Sequence, residues 1–177
     1  MRDALRIWAM ALMLLLMSGC SADIEEYETT HPSFDLFEYF QGEVHAWGMV
    51  QDYRYQQTRR FEVVILGYVD DGVLVLEEDF VFDDGDIDRR VWRIEQIDAH
   101  QYQGEADDIL GMATGVSYGN ALQWQYSMNI EVDDSSYEIH FDDWLYRQDE
   151  RHLFNLTKMT KFGVEVGRIT LFFQKIE

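Results

Sequence analysis

A strict alternation of apolar and polar side chains runs through residues 122–132, LQWQYSMNIEV. The apolar members are Leu122, Trp124, Tyr126, Met128, Ile130 and Val132, and a polar residue stands between each pair. Successive side chains of a β-strand point to opposite faces, so this stretch predicts a strand with one buried and one solvated face. The segment therefore favours an antiparallel sheet that covers a core on one side.

Similar alternation recurs along the rest of the chain, and turn signals such as Asp71-Gly72, Asp84-Gly85 and Phe162-Gly163 separate the segments. The further predicted strands are residues 43–51, 61–69, 73–82, 89–97, 101–107, 112–118, 137–145, 152–160 and 164–173. Their spacing of roughly 8 to 14 residues, without long helical patterns between them, is typical of an all-β meander. We therefore expect about ten strands.

A closed barrel fits this pattern better than a sandwich. The predicted loops are short, which favours up-and-down neighbours, and closure leaves no unpaired edge strand. Phe34, Phe37 and Phe40 recur at helical spacing before the first strand, which predicts a short helix there. We predict a single antiparallel β-barrel domain over residues 34–177, with the helix at its beginning.

The first 19 residues have the pattern of a secretion signal. Arg2 and Arg6 give a basic start, and Ile7–Met17 is an uncharged apolar run. As a helix this run would span only about 16 Å, whereas the apolar core of a bilayer is about 30 Å thick. The segment therefore predicts a signal peptide rather than a membrane-spanning anchor.

Residues 17–20, Met-Ser-Gly-Cys, resemble the lipobox of bacterial lipoproteins, with methionine where leucine is usual. The resemblance implies that residues 1–19 are removed, that Cys20 is acylated, and that residues 20–33 form a tether between the lipid and the domain. Ser21 after the cysteine implies sorting to the outer membrane, facing the periplasm. The alternative is an ordinary secreted protein whose single cysteine happens to lie near the cleavage site.

The charge of the chain excludes one class of partner and its motifs suggest no cofactor. A formal net charge of −20 repels phosphate backbones, so we do not expect nucleic-acid binding. Asp84, Asp86 and Asp88 have the spacing of calcium-loop ligands, but Arg89 stands where the loop needs glycine, so we predict a solvated turn. The histidines and the single cysteine have no metal-ligand spacing. No metal or cofactor site is predicted, and a protein partner is left open.

Several short motifs occur together, and in order, between Phe37 and Lys175. They include Phe40-Gln41-Gly42, Ala46-Trp47-Gly48, Glu78-Asp79-Phe80, Arg90-Val91-Trp92, Phe141-Asp142-Asp143-Trp144 and Lys161-Phe162-Gly163. In this order they resemble a proteobacterial family of lipoproteins of unknown function. The resemblance implies a lipocalin-like barrel, and it carries over no catalytic residues because the family has no assigned activity.

Asp143 is the first candidate site residue. It shares a face with Ile139 and Phe141, so we predict that it points into the barrel. An inward carboxylate needs a cationic partner or a raised pKa, and its role is either a general acid, a ligand-orienting group or a structural ion pair. Asp107 and Asp108 are weaker candidates for a catalytic acid and base. The side chains predicted to line a ligand site are Trp47, Trp92, Trp124, Tyr126, Phe141 and Asp143.

Three functions remain open from the sequence. The preferred one is a lipoprotein that binds a lipid or another apolar ligand inside its barrel. The second is an envelope scaffold with a packed core that docks a partner protein. The third is an enzyme acting on lipids, with Asp143 and either Asp107 or Asp108 as acid and base, and it is the least favoured. The sequence alone does not decide whether the barrel contains a cavity.

Overall fold

The computed structural model describes residues 22–132 and 135–176. Ten antiparallel strands form one closed barrel in which each strand pairs with the next and β1 pairs with β10. The strands are β1 Gly42–Asp52, β2 Gln57–Asp70, β3 Val73–Phe82, β4 Ile87–Gln96, β5 Gln101–Glu105, β6 Ala113–Tyr118, β7 Ala121–Val132, β8 Ser135–Arg147, β9 His152–Lys161 and β10 Val164–Lys175. The predicted all-β barrel of about ten strands is confirmed. The predicted signal peptide, residues 1–19, and Cys20 lie outside the described residues.

Inward and outward positions alternate along the strands, most clearly on β2, β8 and β9. On β2 the side chains of Phe61, Val63 and Ile65 are buried in the core, whereas Val64, between two of them, is 44% exposed. The sheet closes between β1 and β10, where the paired residues run from Val44 with Lys175 to Asp52 with Gly167. Since every strand has two neighbours, one continuous set of inward side chains surrounds the barrel axis.

The short helix α1, Leu36–Phe40, plugs one end of the barrel. It begins after Asp35, whose carboxylate accepts a hydrogen bond of 3.0 Å from the backbone N–H of Glu38. Leu36 and Phe40 are buried against the barrel interior. The backbone of the helix approaches Gly67 so closely that an added Cβ there would lie 1.8 Å from the Phe40 carbonyl oxygen. We call this the plugged end.

The segment before the helix lies against the barrel. The 3-10 helix Ile24–Tyr27 and the residues after it pack on the plugged end. The Tyr27 ring lies 5.6 Å from the ring of Tyr146, and the Thr30 hydroxyl donates a hydrogen bond of 2.7 Å to Oδ1 of Asn120. A tyrosine that covers an outer aromatic side chain therefore holds the segment to the barrel.

The acidic turn between β3 and β4 is a hairpin closed by an arginine. Arg59 of β2 makes ion pairs of 2.7 Å with both Asp84 and Asp86. Within residues 22–132 and 135–176, no group of three or more histidine, cysteine, aspartate or glutamate side chains could hold a metal ion. No helix in the same residues has the length and apolar character needed to cross a membrane.

Candidate functional site

The interior of the barrel contains a cavity of about 150 Å³. Leu36 and Phe40 of α1 border it at the plugged end, and Val63 and Ile65 of β2 form part of its apolar wall. An engineered protein cavity of about 150 Å³ with similar apolar walls binds benzene. The interior can therefore accept a ring or a short alkyl chain, which answers the question that the sequence left open.

Two glycines position the aromatic part of the wall. Trp124 of β7 lies over Gly104 and Gly115, where an added Cβ would come within 2.7 Å and 2.4 Å of its ring. The indole of Trp92 contacts Trp124 edge-on, with ring centroids 5.6 Å apart, and contacts Tyr126 at 5.4 Å. The glycines of β5 and β6 thus leave room for an indole that would otherwise occupy the cavity.

A polar cluster interrupts the apolar wall on one side. Its members are Glu78, Arg90, Tyr126, Asp143, Asn155 and Thr157. The strand register brings them together, because Glu78 is directly opposite Arg90 on β4 and Asp143 is directly opposite Thr157 on β9. Residues directly opposite each other on one face of a sheet are neighbours in space.

Arg90 connects the polar cluster to the protein surface. Its Nε donates a hydrogen bond of 2.8 Å to the Asp108 carboxylate, and a terminal nitrogen lies 2.6 Å from the same group. The Arg90 side chain is 19% exposed and the Asp108 side chain 38%. The guanidinium lies within 6 Å of the ring centres of Phe80 and Trp92. Arg90 is thus held in place by a carboxylate at the surface and by aromatic rings of the cavity wall.

The two carboxyl groups of the cluster change charge close to neutral pH. Burial raises the pKa of Glu78 to about 7, and the nearby Arg90 partly opposes this shift. Burial likewise raises the pKa of Asp143 to about 6, although hydrogen bonds from Thr157 and Asn155 favour its charged form. The interior therefore contains carboxyl groups that are ordinarily ionised but that burial keeps partly neutral.

Asn155 has an unmatched hydrogen-bond acceptor. Its side chain is 7% exposed and faces the cavity. Among the described residues, no hydrogen-bond donor reaches its Oδ1 atom. A buried polar atom without a partner costs about 1–3 kcal/mol, so native structures rarely retain one without a reason. This leaves an unsatisfied acceptor on a residue of the cavity wall.

The structure places the predicted site residues in three different environments. Trp92, Trp124, Tyr126 and Asp143 line the cavity. Phe141 is buried beside it, stacked on Tyr126 with ring centroids 5.0 Å apart, but does not form part of its wall.

Three of the predicted site residues lie outside the cavity. The placement of Trp47 is wrong: its side chain is 41% exposed on the outer face and stacks on Phe172, because the inward position beside it belongs to Ala46. Asp107 and Asp108 are exposed in the turn after β5, and Asp108 meets the cluster only through Arg90. Neither can act as an acid or base inside the barrel.

The sequence reasoning missed Glu78, Arg90, Asn155 and Thr157. The signal that identified Asp143 was present for them as well. Glu78 stands between Leu76 and Phe80 on the inward face of β3, and Asn155 follows Leu153 on the inward face of β9. Testing every polar residue on an apolar face would have found the whole cluster.

The fold and the site define a lipocalin-like barrel with an internal, mainly apolar cavity. A family described as "protein of unknown function (DUF3833)" matches residues 13–175, and the chain belongs to this family. No curated protein matches the sequence. Among solved structures, the S-type phycobiliprotein lyase CPES from Guillardia theta is similar, with a TM-score of 0.59 and 9% identity over 88% of this chain and 99% of that chain. At this identity the similarity shows the fold alone.

Proposed function

We propose that this protein is a binding protein that holds a small apolar molecule inside its barrel. The observation that carries the proposal is the cavity of about 150 Å³, in which a mainly apolar wall surrounds a few convergent polar groups. Ligand sites typically combine these two features. One similar solved structure is that of a phycobiliprotein lyase, and this fold is compatible with the binding of a small molecule.

We further propose that Cys20 is acylated and attaches the barrel to a membrane of the cell envelope, facing the periplasm from the outer membrane. Support comes from the lipobox-like residues 17–20 after a short apolar run. A single acyl chain holds a protein to a membrane only reversibly. Stable attachment therefore requires several chains, which bacterial lipoproteins carry. Cells fed an alkyne-bearing palmitate analogue should label the wild-type chain and leave Cys20→Ala unlabelled. Equal labelling of both chains would refute acylation at this residue.

The enzyme hypothesis loses its predicted acid–base pair. Asp143 lies in the cavity wall, but Asp107 and Asp108 are exposed outside it. We therefore favour binding over catalysis.

A matched pair of phenylalanine substitutions on β2 tests the binding proposal. Val63→Phe adds a ring to the cavity, whereas Val64→Phe adds the same ring to the outer surface one residue later. The full chain and both variants are purified from membranes in mild detergent, and their non-covalent lipids are extracted and measured by mass spectrometry.

We expect one class of molecule to accompany the wild-type chain and Val64→Phe, and to fall at least tenfold in Val63→Phe. Molecules that merely adhere to the detergent micelle or the outer surface would be the same in all three samples. Such equality would refute ligand binding in the cavity.

A further inference from the structure

We infer that the cavity selects apolar molecules that carry a hydrogen-bond donor, a hydroxyl or an amino group, and discriminates against carboxylates and phosphates. The inference rests on the proposed binding function and specifies the chemistry of the ligand. It follows from the hydrogen-bonding capacity of the polar cluster and from its charge.

Three side chains of the cavity wall carry hydrogen-bond acceptors, namely Glu78, Asp143 and Asn155. Oδ1 of Asn155 is a buried acceptor for which the described residues provide no donor. Asp143 and Glu78 contribute carboxyl oxygens to the same wall. A ligand hydroxyl or ammonium group could donate to these atoms, whereas an ionised carboxylate has no proton to donate to them.

Asn155 and Asp143 are neighbours on the cavity wall. Asp143 pairs with Thr157, which shares the inward face of β9 with Asn155. The Thr157 hydroxyl already donates a hydrogen bond to Asp143. Oδ1 of Asn155 is therefore the acceptor in this part of the wall that still lacks a donor, which a ligand would supply.

Arg90 does not reverse this preference. Among the residues that line the cavity it is the one permanent cation, and the Asp108 carboxylate already contacts it at 2.6 Å. Glu78 is directly opposite it in the sheet. An anionic ligand would therefore have to compete with Asp108 for Arg90 and would approach Glu78 and Asp143, and like charges in a poorly solvated site repel strongly.

The apolar part of the ligand is limited by the volume. A cavity of about 150 Å³ matches a single ring in size. Trp92 and Trp124 in its wall are suited to such a ring, since aromatic pairs favour edge-on and offset contacts. We therefore choose benzyl compounds as probes, because they place one polar group on a benzene-sized body.

The test compares benzyl alcohol, benzylammonium, benzoate and toluene at pH 8 with the full chain in lipid nanodiscs. Saturation-transfer NMR titrations give dissociation constants, and empty nanodiscs correct for partition into lipid. We expect the alcohol and the ammonium ion to bind at least tenfold more tightly than benzoate. Equal affinities, tighter binding of benzoate, or no binding of any probe would overturn the inference.

Two variants assign the preference to Asn155. Asn155→Leu replaces the amide by an apolar group of similar size, and Asn129→Leu makes the same change at an exposed position of β7. We expect the affinity for benzyl alcohol to fall at least tenfold in Asn155→Leu while the affinity for toluene is retained, and both to be unchanged in Asn129→Leu. Toluene binding also controls for folding, and equal loss of both ligands would contradict the role of Asn155.

The Val63→Phe variant separates this inference from the proposed function. If Val63→Phe abolishes binding of every probe but the wild-type chain binds all of them equally, the cavity binds ligands without the stated preference. If Val63→Phe binds the probes as the wild-type chain does, then both the binding function and the inference fail.

Discussion

Glu78 is the residue whose surroundings have the clearest thermodynamic consequence. It faces the cavity from β3, and the charged groups near it are Arg90, Asp108 and Asp143. Burial raises its pKa from 4.5 to about 7, so the folded protein binds this proton more tightly than the unfolded chain does. Stability from this group is therefore greatest in mild acid and decreases as the pH rises through the interval from 4.5 to about 7.

We predict that Glu78→Gln removes this part of the pH dependence. The amide cannot ionise, so at pH 8 the variant is expected to be roughly 1–3 kcal/mol more stable than the wild-type chain, since each pKa unit corresponds to about 1.4 kcal/mol. Urea unfolding followed by circular dichroism between pH 5 and 8 measures the difference. Glu77→Gln is the control, because Glu77 points outward and pairs with Arg89 at 2.6 Å. A wild-type stability that rises with pH above 5, unaffected by Glu78→Gln, would contradict the prediction.

At the residue scale, the face of the strand on which a residue lies predicts whether its side chain points into the barrel better than the residue type does. The shared face with Ile139 and Phe141 predicts an inward Asp143, and Asp143 does line the cavity. The prediction for Trp47 rests on its aromatic character, although its position on β1 alternates with the inward Ala46. The unmatched oxygen of Asn155 and the contact of Arg90 with Asp108 depend on the relative placement of distant strands, which one sequence does not specify.

At the scale of the elements, β5 and β6 are specialised to accommodate the Trp124 indole. Gly104 and Gly115 lie beneath the ring, and an added Cβ at Gly115 would be 2.4 Å from it. The neighbouring Thr114 is exposed on the other face of β6. Because neither glycine has a side chain, the Trp124 indole lies directly against these two short strands, and its position there sets the boundary of the cavity.

We predict that Gly115→Ala displaces Trp124 toward the cavity. Insertion of a methyl group into a packed core typically costs about 1–3 kcal/mol, so the unfolding temperature should fall, and the near-ultraviolet circular dichroism should change because the contact between Trp92 and Trp124 is altered. Thr114→Ala serves as the control at the adjacent outward position. If Gly115→Ala left both the spectrum and the unfolding temperature unchanged, the proposed function of the glycine would be wrong.

The strands and the helix α1 could be predicted because each has a regular hydrophobic period. The strand β7, for example, alternates over residues 122–132. The 3-10 helix Ile24–Tyr27 could not, because four residues are too few to show a period. Its position depends on tertiary contacts, such as that of Tyr27 with Tyr146.

For the molecule as a whole, the path of the chain near the plugged end restricts how an anchored barrel could be oriented. Residues 24–33 pack on that end, with Thr30 bonded to Asn120 in the turn between β6 and β7. Cys20 precedes Asp23 by three residues, which span at most about 10 Å. An acyl group on Cys20 would therefore hold the plugged end near the bilayer. Arg90 and Asp108 lie toward the opposite end of the barrel and would then face the aqueous phase.

We predict that a probe at the plugged end lies closer to lipid headgroups than a probe at the opposite end. Glu150 lies just before β9 at the plugged end, because the Tyr39 hydroxyl of α1 donates a hydrogen bond to the backbone carbonyl oxygen of Arg151. Phe162 follows β9 at the other end. Ten residues of strand separate them, a distance of about 30 Å. Cys20 is the chain's one cysteine, so acylation leaves an introduced cysteine as the sole thiol for labelling. The variants Glu150→Cys and Phe162→Cys are labelled with the same fluorophore. Each is then bound to liposomes whose lipids carry a quencher on the headgroup.

We expect strong quenching at position 150 and weak quenching at position 162, because a barrel attached through its plugged end directs β9 away from the membrane. Samples without quencher lipid provide the reference intensity for each label, and unlabelled variants are checked for equal liposome binding. Equal quenching would mean that the packed residues 24–33 do not restrict the anchored barrel. Stronger quenching at position 162 would reverse the orientation, and the cavity's polar side would then face the lipid rather than water.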